Sequence, residues 1–214
     1  MVVVAAGSSV RFGGDKLTEE IAGAPLVAHA VKAVRDLVDV CILVGRAEQL
    51  DHLRELGLGV EVVVGGPTRT SSEMAGLAAL GKPADLIGIH DAARPLVSKS
   101  LIEALFETAD RVGGAVPVLA PDTVLLEREG LQPVPDLMTA QTPQVFRGPD
   151  LMAAYVRASQ AGFDGRDTAE IMERFAEVAV AAVPGDPGNI KVTYPTDLEE
   201  MRRRLTAPSH NGPR

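Results

Sequence analysis

The sequence predicts an α/β fold: a mostly parallel, twisted sheet with helices on both faces, plus a β-hairpin arm. Three observations predict it. Short apolar runs alternate with helical patterns over residues 1–119, the order that gives parallel strands joined by helices. A glycine-rich turn follows the first apolar run directly. After Leu119 the alternation stops, and two short runs separated by Glu129-Gly130 are typical of a hairpin.

The first part of the chain alternates between strand and helix. Residues 1–4 form an apolar run of the kind found in a buried strand, and similar runs predict strands at residues 40–44, 60–64, 85–90 and 115–119. The segments between them predict helices at residues 25–37, 47–56, about 70–80 and 98–112. Either Ser98 or Ser100 is a suitable N-cap for the last of these helices.

The predicted arm covers about residues 120–140, with its two runs at residues 123–127 and 131–134. Its apolar side chains need a cover, which is either a second subunit or the arm's own domain. Beyond the arm we expect helices at residues 150–159 and 167–175, strands at 178–183 and 190–193, and a last helix from a Thr196 cap to about residue 205. Residues 1–206 then form one domain, and residues 207–214, which are mostly polar, a disordered tail.

Composition excludes several classes of function. The hydrophobic content of 46% and the charged content of 23% are ordinary for a globular domain. Aromatic residues make up 3% of the chain and Trp is absent, so platforms that stack nucleic-acid bases are not expected. The net charge of −8 argues against binding to a nucleic-acid polymer or to an anionic membrane.

Localisation signals are not visible in the sequence. The strand that begins at Met1 has no basic n-region of the kind that starts a signal peptide, and no apolar segment is long enough to span a bilayer. The single cysteine, Cys41, lies in an apolar run and is interpreted as a small buried residue. We therefore expect a cytoplasmic protein.

The glycine-rich turn is a candidate site for a polyphosphate. Its backbone N–H groups and its two cations, Arg11 and Lys16, suit an anionic ligand that approaches the chain closely. The residues that permit this approach are small: Ala5, Ala6, Gly7, Ser8 and Ser9. A flexible surface loop is the alternative interpretation.

Two familiar phosphate-binding motifs do not match this turn. A Walker A loop is excluded by the spacing of Gly7 and Gly13 and by Leu17, which follows Lys16. A dinucleotide-binding fingerprint is excluded because Ser9 occupies its second glycine position.

Three polar clusters fall at predicted carboxyl ends of strands, at residues 7–16, 65–72 and 91–94. Ligands of such sheets bind at that edge, so we expect the clusters to converge there. Asp91 is a candidate magnesium ligand or substrate contact, or else it caps the following turn. Arg94 either binds phosphate or pairs with a surface acid, and Lys191 faces either an anion or solvent.

These residues suit attack on the α-phosphorus of a nucleotide. That reaction builds negative charge on phosphate oxygens and on the leaving pyrophosphate, which fixed cations and Mg²⁺ stabilise. The sequence contains no order of Ser, His and Asp and no pairing of Cys with His that suggests a covalent nucleophile.

Several motifs along nearly the whole chain resemble those of the 2-C-methyl-D-erythritol 4-phosphate cytidylyltransferase family. They are Ala5-Ala6-Gly7 with Arg11 and Lys16, Gly65-Gly66 through Arg69, Ser72, Gly76 and Leu77, His90-Asp91-Ala92-Ala93-Arg94-Pro95, Pro117 with Asp122-Thr123, Gln141-Thr142-Pro143-Gln144-Val145-Phe146, and Asn189-Ile190-Lys191-Val192-Thr193 with Asp197-Leu198. The Asp-Ala-Ala-Arg-Pro, Gln-Thr-Pro-Gln and Asn-Ile-Lys-Val-Thr motifs are specific, whereas the glycine loop alone is not.

The resemblance implies a Rossmann-like nucleotidyltransferase fold and a reaction of CTP with a polyol phosphate, assisted by Mg²⁺, that releases pyrophosphate. It also implies a homodimer whose exchanged arms complete the polyol sites. The implied catalytic residues are Arg11, Lys16 and Lys191; the nucleotide-binding residues are Ala5, Ala6, Gly7, Ser8, Ser9, Gly65, Gly66, Arg69 and Ser72; the substrate-binding residues are Asp91, Ala92, Arg94, Asp122, Thr123 and Arg147, with Asp91 also the candidate metal ligand.

The chain departs from the family pattern mainly in its polyol half. Leu125 and Leu126 stand where the family usually has a lysine, and Arg147 comes one residue earlier than a phosphate-binding basic position of the family. A cytidylyltransferase for ribitol 5-phosphate or another polyol phosphate is therefore an alternative. More distant alternatives are a nucleotidyltransferase that uses GTP or UTP, and a nucleotide-binding protein without catalysis.

Overall fold

The computed structural model describes residues 1–7, 10–121, 125–128, 130–133 and 136–206. The predicted disordered tail at residues 207–214 lies outside these ranges. Over the described part of the chain, the observed architecture is the predicted one, an α/β fold with a mixed, mostly parallel sheet.

The strands are short, and most of them coincide with the apolar runs of the sequence. In chain order they are β1 (Val2–Val4), β2 (Glu20–Ile21), β3 (Ala24–Pro25), β4 (Ile42–Gly45), β5 (Glu61–Val64), β6 (Leu86–Asp91), β7 (Gly113–Leu119), β8 (Leu125–Arg128), β9 (Gly130–Pro133), β10 (Thr139–Ala140), β11 (Gln144–Arg147) and β12 (Ala179–Pro184).

The helices begin and end within a few residues of the predicted limits. They are α1 (Leu26–Arg35), α2 (Leu50–Glu55), α3 (Arg69–Ala79), α4 (Lys99–Val112), α5 (Gly148–Gln160), α6 (Thr168–Phe175) and α7 (Pro195–Thr206). Ser98 is the N-cap of α4, since its side chain accepts a hydrogen bond from the backbone N–H of Leu101. The predicted helix at residues 47–56 starts as a short 3₁₀ turn, Ala47–Gln49, which leads into α2.

The main sheet has eight strands in the order β10-β7-β11-β6-β1-β4-β5, with β12 paired to β7. The pairs β6–β1, β1–β4, β4–β5 and β7–β12 are parallel. Register aligns Val4 with Val44 on one side and with Asp91 on the other. The carboxyl ends of β1, β4 and β6 therefore lie side by side, as the sheet rule predicts.

Two apolar cores, one on each face, hold the helices to this sheet. Successive residues of a strand point to opposite faces, and Val3 belongs to the core under α1 and α4 while Val2 belongs to the core under α3 and α5. Gly76 allows α3 to approach the sheet closely, because a Cβ at this position would collide with the side chains of Val2 and Val44.

The arm is present as a separate ribbon. Strands β8 and β9 pair antiparallel with each other, and Arg128 pairs with Gly130. They form a two-stranded sheet of their own in the part of the chain that the structure describes. Within the same part, no helix is both long and apolar enough to cross a membrane.

Two local predictions were wrong. Residues 190–193 do not form a strand; Val192 makes a single backbone hydrogen bond to Ala93 in place of a ladder. Thr196 does not cap α7, which begins at Pro195; instead the Asp197 carboxylate accepts hydrogen bonds from the backbone N–H groups of Thr193 and Tyr194. Strand β11 was not predicted, although it occupies the position between β6 and β7 in the sheet.

Candidate active site

A cleft of about 600 Å³ opens at the carboxyl edge of the parallel strands. The segments that follow β1, β4, β5 and β6 line it, together with part of the segment between β12 and α7. The lining residues are Val4, Ala5, Ala6, Gly7, Arg11, Lys16, Leu17, Arg46, Ala47, Glu48, Gly65, Gly66, Pro67, Thr68, Arg69, Ser72, Asp91, Ala93, Lys191 and Thr193. The three polar clusters of the sequence thus converge on one cleft.

The loop after β1 contributes Arg11 and Lys16. Lys16 begins a short 3₁₀ turn whose N-cap is Asp15, because the carboxylate of Asp15 accepts a hydrogen bond from the backbone N–H of Leu17. The Nζ atom of Lys16 donates to the carbonyl oxygen of Val192 at 2.7 Å. This bond ties the first loop of the chain to the segment that carries Lys191.

Burial lowers the pKa of Lys16, and the neighbouring cation of Lys191 lowers it further, whereas Asp91 acts in the opposite direction. Two amines crowded in one cleft have a strong electrostatic preference for an anion between them. The loop and the Lys191 segment therefore form a ready site for phosphate groups.

Arg46, directly after β4, fastens the same loop from the other side. Its guanidinium donates to the carbonyl oxygen of Gly7 at 2.8 Å and lies 3.3 Å from Asp15 Oδ2. The amide of Gln49 also donates to the Asp15 carboxylate. Asp15 therefore joins the turn that carries Lys16 to the segment after β4.

The turn between β5 and α3 brings backbone close to the first loop. A Cβ on Gly65 would lie 2.9 Å from Ala6 Cβ and 2.8 Å from Ser72 Oγ, which is closer than real side chains approach. Thr68 caps α3, since its hydroxyl accepts from the backbone N–H of Ser71. Because residue 65 has no side chain, the turn after β5 packs directly against Ala6 and Ser72.

Asp91 is the anionic centre of the cleft. Its Oδ1 accepts from Arg69 Nη1 at 2.9 Å, and its Oδ2 lies 2.7 Å from Lys191 Nζ and 3.7 Å from Arg94 Nε. Burial alone would raise the pKa of this carboxyl, but Arg69 and Lys191 outweigh it and hold the pKa well below its usual range. The carboxylate is thus ionised and surrounded by cations.

Arg94 and Ala92 support the cleft from behind and do not line it. Arg94 Nη1 donates to the carbonyl oxygen of Asn189 at 2.7 Å, which fixes the chain two residues before Lys191. The backbone N–H of Ala92 donates to the carbonyl oxygen of Val4, and its side chain is buried.

Arg147 lies at the far end of the sheet. It pairs across β11 and β6 with Leu86, the first residue of β6, whereas Asp91 is the last. Its guanidinium donates to the carbonyl oxygen of Asp110 at 2.9 Å. Within one chain the structure therefore separates Arg147 from the cleft.

The other sequence-predicted site residues divide into two groups. Those that line the cleft are Ala5, Ala6, Gly7, Arg11, Lys16, Gly65, Gly66, Arg69, Ser72, Asp91 and Lys191. Those that lie outside the described residues are Ser8, Ser9, Asp122 and Thr123. The interpretation of the glycine-rich turn as a plain surface loop is set aside, since the described part of it forms a cleft wall.

Sequence reasoning missed Arg46 and Glu48, which also line the cleft. A signal for them existed: Arg46 follows β4 directly and Glu48 lies two residues further on, at the same edge of the sheet as the other clusters. The five cations of the cleft, Arg11, Lys16, Arg46, Arg69 and Lys191, face two acids, Asp91 and Glu48. This cluster of positive charge in an acidic chain suits a nucleoside triphosphate.

Comparison with known proteins gives consistent matches over the whole described domain. The sequence model of the 2-C-methyl-D-erythritol 4-phosphate cytidylyltransferase family matches residues 1–206. The chain is 35% identical to the protein of that name from Solibacter usitatus, covering 93% of this chain and 92% of the relative. It is 34% identical to the protein of that name from Aquifex aeolicus, covering 94% and 95%.

A solved structure gives the same match in three dimensions. The crystal structure of 2-C-methyl-D-erythritol 4-phosphate cytidylyltransferase from Thermus thermophilus superposes with a TM-score of 0.80 at 29% identity, covering 96% of this chain and 98% of that one.

Proposed function

The chain belongs to the 2-C-methyl-D-erythritol 4-phosphate cytidylyltransferase family, and we propose that the cleft at the carboxyl edge of its sheet is where the reaction occurs. The enzyme transfers the cytidylyl group of CTP to 2-C-methyl-D-erythritol 4-phosphate. The products are 4-diphosphocytidyl-2C-methyl-D-erythritol and pyrophosphate, and the reaction belongs to the non-mevalonate route to isoprenoid precursors.

The observation that carries the assignment of the site is the convergence of Arg11, Lys16 and Lys191 on one cleft with Asp91 at its centre. In the reaction a phosphate oxygen of the polyol forms a bond to the α-phosphorus of CTP. The bond from that phosphorus to the bridging oxygen of pyrophosphate breaks. Negative charge grows on the non-bridging oxygens and on the leaving group, and positioned cations stabilise it.

We assign charge stabilisation at the α-phosphate to Arg11 and Lys16, which the same loop presents to the cleft. Lys191 orients the attacking phosphate, since it lines the same cleft and is held there by Asp91. Removing one positioned donor of this kind costs about 10²–10³ in kcat.

The backbone around Gly7 holds the triphosphate, and the wall formed by Gly65, Gly66 and Ser72 receives cytosine and ribose. This assignment is supported by the close packing of Gly65 against Ala6, which places the wall directly beside the loop, and by the fact that both line the cleft. Arg69 extends from the first turn of α3 into the same space and contacts the nucleotide.

We propose that the reaction uses Mg²⁺. No group of three or more His, Cys, Asp or Glu side chains that could hold a metal occurs among the described residues. Mg²⁺ is often bound by one or two carboxylates together with substrate phosphates. Arg69 and Lys191 each contact one oxygen of Asp91, but an ionised carboxylate has about four lone-pair sites, so each oxygen keeps one for a metal ion in the cleft. Asp91 would hold the ion, and the triphosphate and water would complete its ligands. When bound, Mg²⁺ supplies positive charge to the phosphates of CTP.

We propose in addition a cytoplasmic homodimer in which the arms are exchanged. The arm ribbon is separate from the main sheet in the described part of the chain, and next to it Leu137 and Met138 are 41% and 57% exposed. An arm of this kind gains a cover by packing on a second subunit. Light scattering at micromolar concentration tests the dimer, and a monomeric mass would contradict the exchange.

Pyrophosphate release tests the proposed function. The assay crosses CTP, UTP, GTP and ATP with 2-C-methyl-D-erythritol 4-phosphate and ribitol 5-phosphate, in the presence of Mg²⁺ and after addition of excess EDTA. We expect turnover with CTP and 2-C-methyl-D-erythritol 4-phosphate, and its loss with EDTA.

The other outcomes are equally informative. Turnover with CTP and only ribitol 5-phosphate would keep the mechanism and change the acceptor. Turnover that survives EDTA would remove Mg²⁺ from the proposal. An active wild type whose Lys16→Ala variant is equally active would remove the cleft as the site of the reaction.

A further inference from the structure

A buried ionic cluster lies directly behind the cleft, on the core side of α3. The carboxylate of Glu73, which has no exposed surface, lies one helical turn after Arg69, with its Oε1 2.8 Å from Arg69 Nε. Its other oxygen accepts a hydrogen bond from the hydroxyl of Tyr155 at 2.6 Å. Tyr155 stands on α5, and its hydroxyl is also 3.4 Å from the hydroxyl of the buried Thr168 on α6.

This cluster is costly to bury, because apolar residues surround it. Glu73 and Tyr155 point into the core on the α3 face, among apolar residues such as Leu77, Leu151 and Ile171. Removing a carboxylate from water costs several kcal/mol, and well-packed apolar residues can replace a buried ion pair without loss of stability. A role beyond packing is therefore the simplest account of the pair.

The guanidinium of Arg69 connects this cluster to the cleft. Its Nε lies 2.8 Å from Glu73 Oε1 in the core, an ion pair without the alignment of a hydrogen bond, while its Nη1 donates a hydrogen bond to Asp91 in the cleft at 2.9 Å. A guanidinium that is hydrogen-bonded to one carboxylate and ion-paired with a second on another side has fewer side-chain orientations available to it. Although burial opposes it, the two carboxylates raise the pKa of Arg69, so this cation stays charged.

We propose that Glu73 and Tyr155 are positioning residues that hold the Arg69 guanidinium in the orientation in which it contacts the nucleotide. This inference rests on the proposed function, in which Arg69 belongs to the nucleotide site. Tyr155 fixes the Glu73 carboxylate, and Glu73 fixes Arg69. This chain of contacts ends at the wall of the cleft, which Arg69 lines. The effect falls on nucleotide binding, because the reacting α-phosphate is assigned to Arg11 and Lys16.

The test combines CTP affinity, turnover and stability in one set of variants. For Glu73→Gln we expect the Kd of Mg²⁺-CTP, measured by calorimetry, and the KM for CTP to rise about tenfold, since a charge-assisted contact is lost. For Tyr155→Phe, which removes only the hydroxyl, we expect a rise of about threefold. The kcat of both variants should stay within about twofold of the wild type.

A double-mutant cycle shows whether Glu73 acts through Arg69. Arg69→Ala should weaken Mg²⁺-CTP binding, and adding Glu73→Gln to it should cause no further loss. An additive loss would mean that Glu73 reaches the nucleotide by another route, and it would overturn the inference. So would an unchanged Kd in folded Glu73→Gln and Tyr155→Phe.

Two further variants separate positioning from packing. Glu73→Leu with Tyr155→Phe leaves no unpaired carboxylate in the core, so this variant should keep most of the wild-type Tm and still bind Mg²⁺-CTP more weakly. Ile171→Val, in the same core, should lower Tm without changing the Kd. A Kd that follows Tm across all the variants would overturn the inference.

Measurements on the wild type distinguish a failure of this inference from a failure of the proposed function. Wild-type turnover and tight Mg²⁺-CTP binding, together with unaffected variants, would overturn the positioning role alone. A wild type that neither binds Mg²⁺-CTP nor releases pyrophosphate would overturn both.

Discussion

The amine of Lys191 lies 2.7 Å from Oδ2 of Asp91, which joins the segment before the last helix to the end of the middle strand β6. Arg69 binds the other oxygen of the same carboxylate from the start of α3. Asp91 thereby holds two cations that come from distant parts of the sequence. The carboxylate organises the positive wall of the cleft, and it is also the side chain assigned to Mg²⁺.

Asp91→Asn tests both roles of this carboxylate. Without its charge, Lys191 and Arg69 repel each other and lose their anchor, so we expect kcat/KM for CTP to fall about 100-fold and the free energy of unfolding to fall by about 3 kcal/mol. The Mg²⁺ concentration that gives half-maximal rate should rise. The measurement is pyrophosphate release against Mg²⁺ at fixed CTP, with unfolding followed in denaturant.

Glu48→Gln is the matched control, because Glu48 also lines the cleft but its side chain is 68% exposed. Its Mg²⁺ dependence should equal that of the wild type. If Asp91→Asn lowers the rate and leaves the Mg²⁺ dependence unchanged, Asp91 organises cations and does not hold the metal.

Lys16→Met removes the cation assigned to the α-phosphate while keeping most of the length of the side chain. We expect kcat to fall about 10²–10³-fold with little change in the KM for CTP, because the lost interaction is strongest in the transition state. Rapid-quench or steady-state measurement of kcat at saturating CTP checks this. Lys32→Met, on the exposed side of α1, should have no effect, and a Lys16→Met variant with normal kcat would contradict the assigned role.

The sequence predicts those parts of the site that lie directly after a strand, because their position depends on that strand alone. Asp91 and Gly65 follow apolar runs directly, and the rule for parallel sheets brings such positions to one edge. The same rule, applied to β4, would have found Arg46. Pattern and position were sufficient here because neighbouring parallel strands share their direction.

The parts that could not be predicted depend on pairing between distant segments. Strand β11 has four residues that follow Pro143, and it becomes a strand only because β6 and β7 accept it between them. Glu73 and Tyr155 look like ordinary helix residues until α3 and α5 pack together. The segment at 190–193 carries an alternating pattern but lacks a partner strand in the described residues, so it stays irregular.

Asp15→Ala tests how the catalytic loop is held. Asp15 caps the turn that carries Lys16 and also binds Arg46 and Gln49, so its loss frees the loop from the segment after β4. We expect kcat to fall about tenfold through misplacement of Lys16, and stability to fall by about 1 kcal/mol through loss of the cap. Kinetics at saturating substrates and thermal unfolding measure the two effects.

Asp51→Ala is the control for Asp15→Ala, since the Asp51 side chain is 96% exposed. It should match the wild type in both measurements. If Asp15→Ala lowers stability and keeps the wild-type kcat, the contacts of Asp15 are structural and do not position Lys16.

The loss of folding stability at acidic pH is expected to depend on His90, which is buried beside Asp91. Its Nε2 lies 3.0 Å from the carbonyl oxygen of Arg94, which can only accept, so Nε2 carries the proton and Nδ1, 3.2 Å from Thr142 Oγ1, accepts from that hydroxyl. The neutral ring satisfies both partners. Burial lowers the pKa of His90 from 6.5 to about 4.

The sign of the pH dependence follows from proton binding. Between about pH 4 and 6.5 the unfolded chain protonates His90 and the folded chain does not, so the free energy of unfolding falls as the pH falls through this window. The two pKa values set the loss at about 3 kcal/mol at most. Burial raises the pKa of Glu73, which contributes with the opposite sign, so the quantity to compare is the difference between wild type and a variant.

His90→Gln, which does not titrate, should remove most of this acid-dependent loss, and the exposed His52→Gln should leave it unchanged. The measurement is the free energy of unfolding in denaturant at pH 4.5, 5.5, 6.5 and 7.5. If His90→Gln keeps the full wild-type slope, the imidazole is not the group that loses stability on acidification. The Asp91 carboxyl does not confuse the result, since its lowered pKa places its own contribution at more acidic pH.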